Sequence, residues 1–178
     1  MPPRVGSRWR SPRFSPPTDA LARLRTLATR VPGPVAFLAS ALVMLAGPFA
    51  LGALFPDGPI PATPDAAMNA APLGVLLIVW AVVPPLEALF WSAFFIEAAD
   101  AVARRPLVGA ALGTLGYGVL YHAKLGALAI AGAAWIALVG SACYLVARQR
   151  SRWLALLWAT GLRWIFTGIG ILSYRGVF

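Results

Sequence analysis

One histidine, one cysteine and one lysine, His122, Cys143 and Lys124, serve a chain of 178 residues. A lone cysteine excludes an intrachain disulfide. A lone histidine excludes any site built on two imidazoles. Catalytic zinc takes three protein ligands. At the depth of the apolar runs one His and one Glu are available, with Cys143 a remote third, so no metal is expected. Charge is scarce too. Only 12% of the residues are charged and 60% are apolar, where a soluble domain carries roughly 25% charged residues. That excludes a soluble globular domain. The net charge of +9 would point to nucleic acid in a soluble chain. The placement of the charges points elsewhere, and no nucleic-acid partner is expected.

What the chain has is long apolar runs. The first is Pro34 to Phe55, and the second Ala71 to about Phe95. The third runs from Pro106 through Ala147, broken at "HAKLG", and the fourth is Trp153 to Tyr174. A helix needs about 20 residues to cross ~30 Å of hydrocarbon. The third run is twice that length and folds back at His122–Gly126. The expectation is an all-α polytopic bundle of five transmembrane helices over residues 34–178, preceded by a basic segment, 1–33. Cys143 falls inside the fourth span and reads as a small packing residue rather than a nucleophile.

Basic residues on the cytoplasmic side set orientation. Seven arginines precede the first span. Arg104 and Arg105 follow the second, and Arg148, Arg150 and Arg152 follow the fourth. The loop "FPDGPIPATPDAAMNA" holds two Asp and no basic residue. With the N-terminus inside, 12 of the 15 basic residues are cytoplasmic. The expected topology is N-in, C-out, in a bacterial inner membrane. The first apolar run exceeds the ~7–15 residues of a signal-peptide core and reads as a span. Within the N-terminal segment, "TDALARLRTLATRV" puts Leu21, Leu24, Ala28 and Val31 on one helical face beside arginines. It reads either as a helix on the anionic cytoplasmic leaflet or as an unstructured basic tail.

Three polar groups lie within or at the ends of spans: Glu87, His122 and Arg163. A carboxylate at mid-membrane depth costs a few kcal/mol, which makes each a candidate site residue. "FFIEAADAVARRP" has helical composition, with Glu97, Asp100 and Arg104 spaced to share a face. The second helix then runs on to about Ala103, and Pro106 starts the third. Glu87 and His122 are equally far from that turn, so the hairpin is expected to set them level. Pro84 and Pro85 free backbone carbonyls one turn before Glu87 and bend the helix. Gly109, Gly113, Gly116 and Gly118 read as packing positions, with "GAALG" a spacing for close helix approach. Trp and Tyr side chains are suited to interfacial belts.

"LEALFWS", "GYGVLYH" and "GAAWIALVGSACYLVARQRSRWLALLWATGLRWIF", from about Pro84 to Phe166, resemble the CPBP family. These are the CAAX-protease and bacteriocin-processing intramembrane proteases. The resemblance implies a site of one Glu, two His and one Asn that activates water on a peptide bond. Glu87 and His122 would be its catalytic residues. The family's motifs are only partly present. Aligned on Phe90, Leu86 stands where the first Glu belongs and Trp91 where the Arg belongs. Shifted by one, Ser92 stands for the Arg and Ala88 for the second Glu. Gly118 replaces the Phe before His122. Ala159 and Arg163 take the places of the last His and Asn. Trp91, Ser92 and Arg163 are therefore binding candidates.

Three functions follow as expectations. The leading one is a catalytically degenerate relative acting as an accessory or structural subunit, or a binder, in a membrane complex. Glu87 is then a buried carboxylate paired to Arg163 or hydrogen-bonded to His122. The second is a divergent intramembrane endopeptidase, with Arg163 meeting an oxyanion. The third is an isoprenoid- or pigment-binding protein, with a tetrapyrrole metal on His122. "PPLEALFW" shares a Pro-x-Glu pattern with membrane lycopene cyclases. The expected partners are the bilayer, with its anionic cytoplasmic leaflet, and other membrane proteins.

Overall fold

The computed structural model describes residues 33–55, 71–121 and 126–174, with residues 26 and 123 besides. The N-terminal amphipathic stretch, save residue 26, and the acidic loop lie outside the described residues.

The described residues form five apolar helices in the expected order. Helix α1 is Gly33–Leu54, and α2 is Leu73–Ala103. Helix α3 is Pro106–Gly116, continued by a π-helical stretch, Tyr117–Tyr121. Helices α4 and α5 are Ala127–Ala147 and Arg152–Tyr174. All but α3 are long and apolar enough to cross a membrane. The protein is an integral membrane helical bundle.

Helix α4 is its centre. Half of its 18-residue apolar window is buried, against 11% for α1 and 17% for α2. Its sequence explains this. Ala129, Ala133, Ala137, Gly140, Ser141, Cys143 and Ala147 are small and buried, so neighbours can approach on several sides. It packs against α1, α3, α5 and the middle of α2. Cys143 takes part as a packing group with Ala41, Met44 and Leu162.

Helix α2 changes register midway. Pro84 and Pro85 carry no N–H, so the carbonyls of Trp80 and Ala81 lose their usual donors. The helix continues through them to Glu87, then adopts wider π-helical turns over Ala88–Phe94 before returning to α at Phe95. It stops at Arg104, whose φ of 53° is left-handed. The N–H groups of Arg104 and Arg105 bond back to Asp100 and Ala99. Pro106 then opens α3 at its first turn. Glu97, Asp100 and Arg104 do not share one helical face as their spacing implies. Arg104 has left the helical spiral, and both carboxylates bond instead to Arg148.

Helix α3 lies directly on α2. A Cβ at Gly109 or Gly113 would collide with the carbonyl oxygen of Phe95 or Trp91, so only glycine permits this separation. These contacts also fix the register of the hairpin. Gly109 is three residues past Pro106, yet it faces Phe95, eight residues before Ala103. The chain turns back at the left-handed Arg104, so the Arg105 N–H already bonds the Ala99 carbonyl, four residues before Ala103. Equal counting is then off by about five residues, or ~7.5 Å of helix. Equal counting from the turn therefore misplaces α3 by more than one helical turn.

Several tryptophans join the helices. Trp135 donates its indole N–H to the Val43 carbonyl, and Trp80 donates to that of Trp164, at 3.0 and 2.9 Å. Trp158 packs edge-on against Phe37. Trp153 is exposed.

Candidate functional site

Glu87 lies at the end of the first α-helical section of α2, one turn after the proline pair. Arg163 lies midway along α5. Its Nη1 donates to Glu87 Oε2 at 2.9 Å. Arg163 is 1% exposed, and the Glu87 side chain 13%. This is a salt bridge removed from water inside an apolar bundle. Two partly desolvated charges persist there only because each neutralises the other.

Tyr117 of α3 completes the cluster. Its hydroxyl lies 3.4 Å from both carboxylate oxygens of Glu87. The Arg163 guanidinium carbon stands 4.6 Å from the centre of the Tyr117 ring. The ring face thus adds a cation–π contact, an interaction that reaches about 2 kcal/mol when desolvated. Both π-helical stretches touch this cluster. One begins directly after Glu87, and the other begins at Tyr117. Such stretches mark functional positions in many helices.

Around the cluster the core is polar in places. Arg163 Nε and Nη2 are buried and meet no hydrogen-bond partner among the described residues. The same holds for the hydroxyls of Ser92, Thr114 and Ser141. Four helices, α2, α3, α4 and α5, thus bring donors without a described partner into the middle of the bundle.

The sequence candidates fall as follows. Glu87 and Arg163 meet directly. Trp91 reaches the cluster through Tyr117, edge-on at 5.9 Å, and stacks on Phe95. Ser92 is fully buried, and its hydroxyl faces Gly140 of α4. Ala159 is fully buried among Ala88, Ala93 and Ala155, one turn before Arg163. His122 lies outside the described residues, and with it the expected contact to Glu87 and the tetrapyrrole ligand. Tyr117, not singled out from sequence, is the residue that the hairpin register brings to Glu87. The signal that could find it is a phenol on an apolar helix, five residues before the histidine, once the fold-back of the linker is counted.

A second polar cluster sits at the end of the bundle. Glu97 accepts from the Tyr144 hydroxyl at 3.0 Å. It pairs with Arg148 at 3.6 Å and Arg152 at 3.2 Å. Arg148 also bonds Asp100. The start of α1 is at this end too, since a Cβ on Gly33 would meet Arg150. The basic connections assigned to the cytoplasm therefore share one end of the molecule.

Among the described residues no group of three His, Cys, Asp or Glu side chains is placed to hold a metal ion. No family model, no curated protein and no solved structure matches the chain.

Proposed function

We propose that the protein is a non-catalytic membrane bundle, an accessory or structural subunit or a binder within a membrane complex. Its setting would be the bacterial inner membrane, N-terminus inside. The observation that carries this reading is the 2.9 Å bond from Arg163 to Glu87. A general base must keep a free carboxylate oxygen for the proton it takes. Here Arg163 holds one oxygen and the Tyr117 hydroxyl lies between both. The pair joins α2 to α5, and Tyr117 adds α3. That suits a clamp on three helices.

The resemblance to CPBP proteases adds to this reading. The position where that family places its Asn holds Arg163, and it lies against Glu87. A cation there satisfies the carboxylate instead of sharing a water with it. One observation favours the alternative, a divergent endopeptidase: the two unspent donors of Arg163 could meet an oxyanion.

One experiment separates them. Thermal unfolding in detergent is measured for wild type, Glu87→Gln, Arg163→Leu and the double variant, beside a peptide-cleavage assay. The clamp requires that each single variant unfolds at lower temperature and that the double recovers much of the loss. Robust cleavage by wild type, absent in a well-folded Glu87→Gln, would instead establish the endopeptidase.

A further inference from the structure

Between α2 and α5 the bundle leaves an open groove of about 800 Å³. Leu86, Leu89, Phe90 and Phe94 of α2 form one wall, and Trp153 and Leu156 of α5 the other. Glu97, Tyr144 and Arg152 line its polar end. From Leu86 to Glu97 the helix rises at most about 16 Å. That is close to half of the ~30 Å hydrocarbon thickness. The groove is one leaflet deep and opens at the end where the arginines collect.

The walls decide against a partner helix. Close helix approach in membranes uses Gly, Ala, Ser and Thr, and Ala93 is the one small residue lining this groove. Branched and aromatic walls fit a flexible hydrocarbon chain. The polar end decides the headgroup. Glu97 is held by Tyr144, Arg148 and Arg152, so it presents no bare negative charge. Arg152 contacts Glu97 through Nε, yet its side chain is 75% exposed. Among the described residues, Arg104, Arg105, Arg148, Arg150 and Arg152 stand at this end with two carboxylates, Glu97 and Asp100. The end is net positive.

We infer that this groove holds one anionic phospholipid from the leaflet at the basic end. Its acyl chain lies along Leu86, Leu89 and Phe94, and its phosphate on the Arg152 guanidinium. Basic pockets between membrane helices take anionic headgroups in this way. The site is separate from the Glu87–Arg163 pair and does not depend on whether that pair is catalytic.

The test uses the full chain in mild detergent, with native mass spectrometry and thermal unfolding. The probes are phosphatidylglycerol and phosphatidylcholine of the same acyl chains. Wild type should retain phosphatidylglycerol about fivefold more tightly, the increment of one arginine near an anionic surface. Arg152→Gln should lose that preference. Arg105→Gln, exposed at the same end but off the groove, should keep it. Leu89→Trp, at an exposed position on the wall, should weaken retention by filling the acyl track, whatever Arg152→Gln does to folding. Equal retention of both lipids by wild type would overturn the proposal. So would equal losses in Arg105→Gln and Arg152→Gln, which would reduce the effect to general attraction. A stoichiometric polypeptide seated in the groove in place of lipid would overturn it as well.

Discussion

The molecule builds two clusters from the same three side-chain types, a carboxylate, an arginine and a tyrosine. One sits in mid-bundle, Glu87 with Arg163 and Tyr117. The other sits at the end, Glu97 and Asp100 with Arg148, Arg152 and Tyr144. Their chemistry is alike, but their access to solvent is not. Arg163 is 1% exposed, while the Arg148 and Arg152 side chains are 13% and 75% exposed. The inner cluster is one anion against one cation, and removing either leaves a charge with nowhere to go. The outer cluster shares two anions between two cations; water reaches Arg152 and both carboxylates, while Arg148 is as covered as Glu87. Position, more than composition, decides which group is indispensable.

The sharpest test of that difference is Glu87→Gln. It keeps the shape but strands Arg163, and breaking one side of a buried pair costs about 3–5 kcal/mol. Chemical or thermal unfolding in detergent should show a loss of that size. Adding Arg163→Leu should restore much of it.

A milder break acts through α3. Gly113→Val forces a side chain against the Trp91 carbonyl and moves the helix that carries Tyr117. Overpacking of this kind costs about 1–3 kcal/mol. The same unfolding assay should show the loss, and Leu112→Val, on the exposed face of α3, should not. Smaller still is Tyr117→Phe. The ring remains under Arg163, and the two long hydroxyl contacts to Glu87 go. Stability should fall by about 0.5–1.5 kcal/mol. A loss as large as that of Glu87→Gln would show that the phenol, not the arginine, holds the carboxylate.

The smallest effect belongs to the outer cluster. Arg152→Gln removes an exposed pair worth about 0.2–1 kcal/mol. Its loss should shrink further as salt rises, since exposed charges are screened over ~10 Å at 0.1 M. The Glu87→Gln deficit should hardly move over the same salt range. If both respond alike, the inner cluster is wetter than its burial implies.

Hydrophobic run length made the five helices legible, because the bilayer sets a length that composition can meet or miss. Pro106 and the arginines before it marked the α2–α3 turn for similar local reasons. Arg163 was legible as a neutraliser of Glu87, since a lone cation and a lone anion at membrane depth need each other. The register between helices was not legible. It depends on two linker residues folding back along α2 and on glycines that admit the Phe95 and Trp91 backbone. Counting along one chain does not contain that. The partner of Glu97 and Asp100 was missed for a related reason. Arg104 is next along the sequence, but a left-handed turn takes it away and α4 supplies Arg148. The π-helical stretches left no periodic trace, because apolar residues fill every face of these spans.

Helix α4 meets α1, α3, α5 and the middle of α2, and seven of its buried residues are small. A methylene added there has only another helix to push against, while one added to α1, with 11% of its window buried, points mostly outward. In a saturation scan α4 should therefore tolerate the fewest substitutions, and its sequence should drift least.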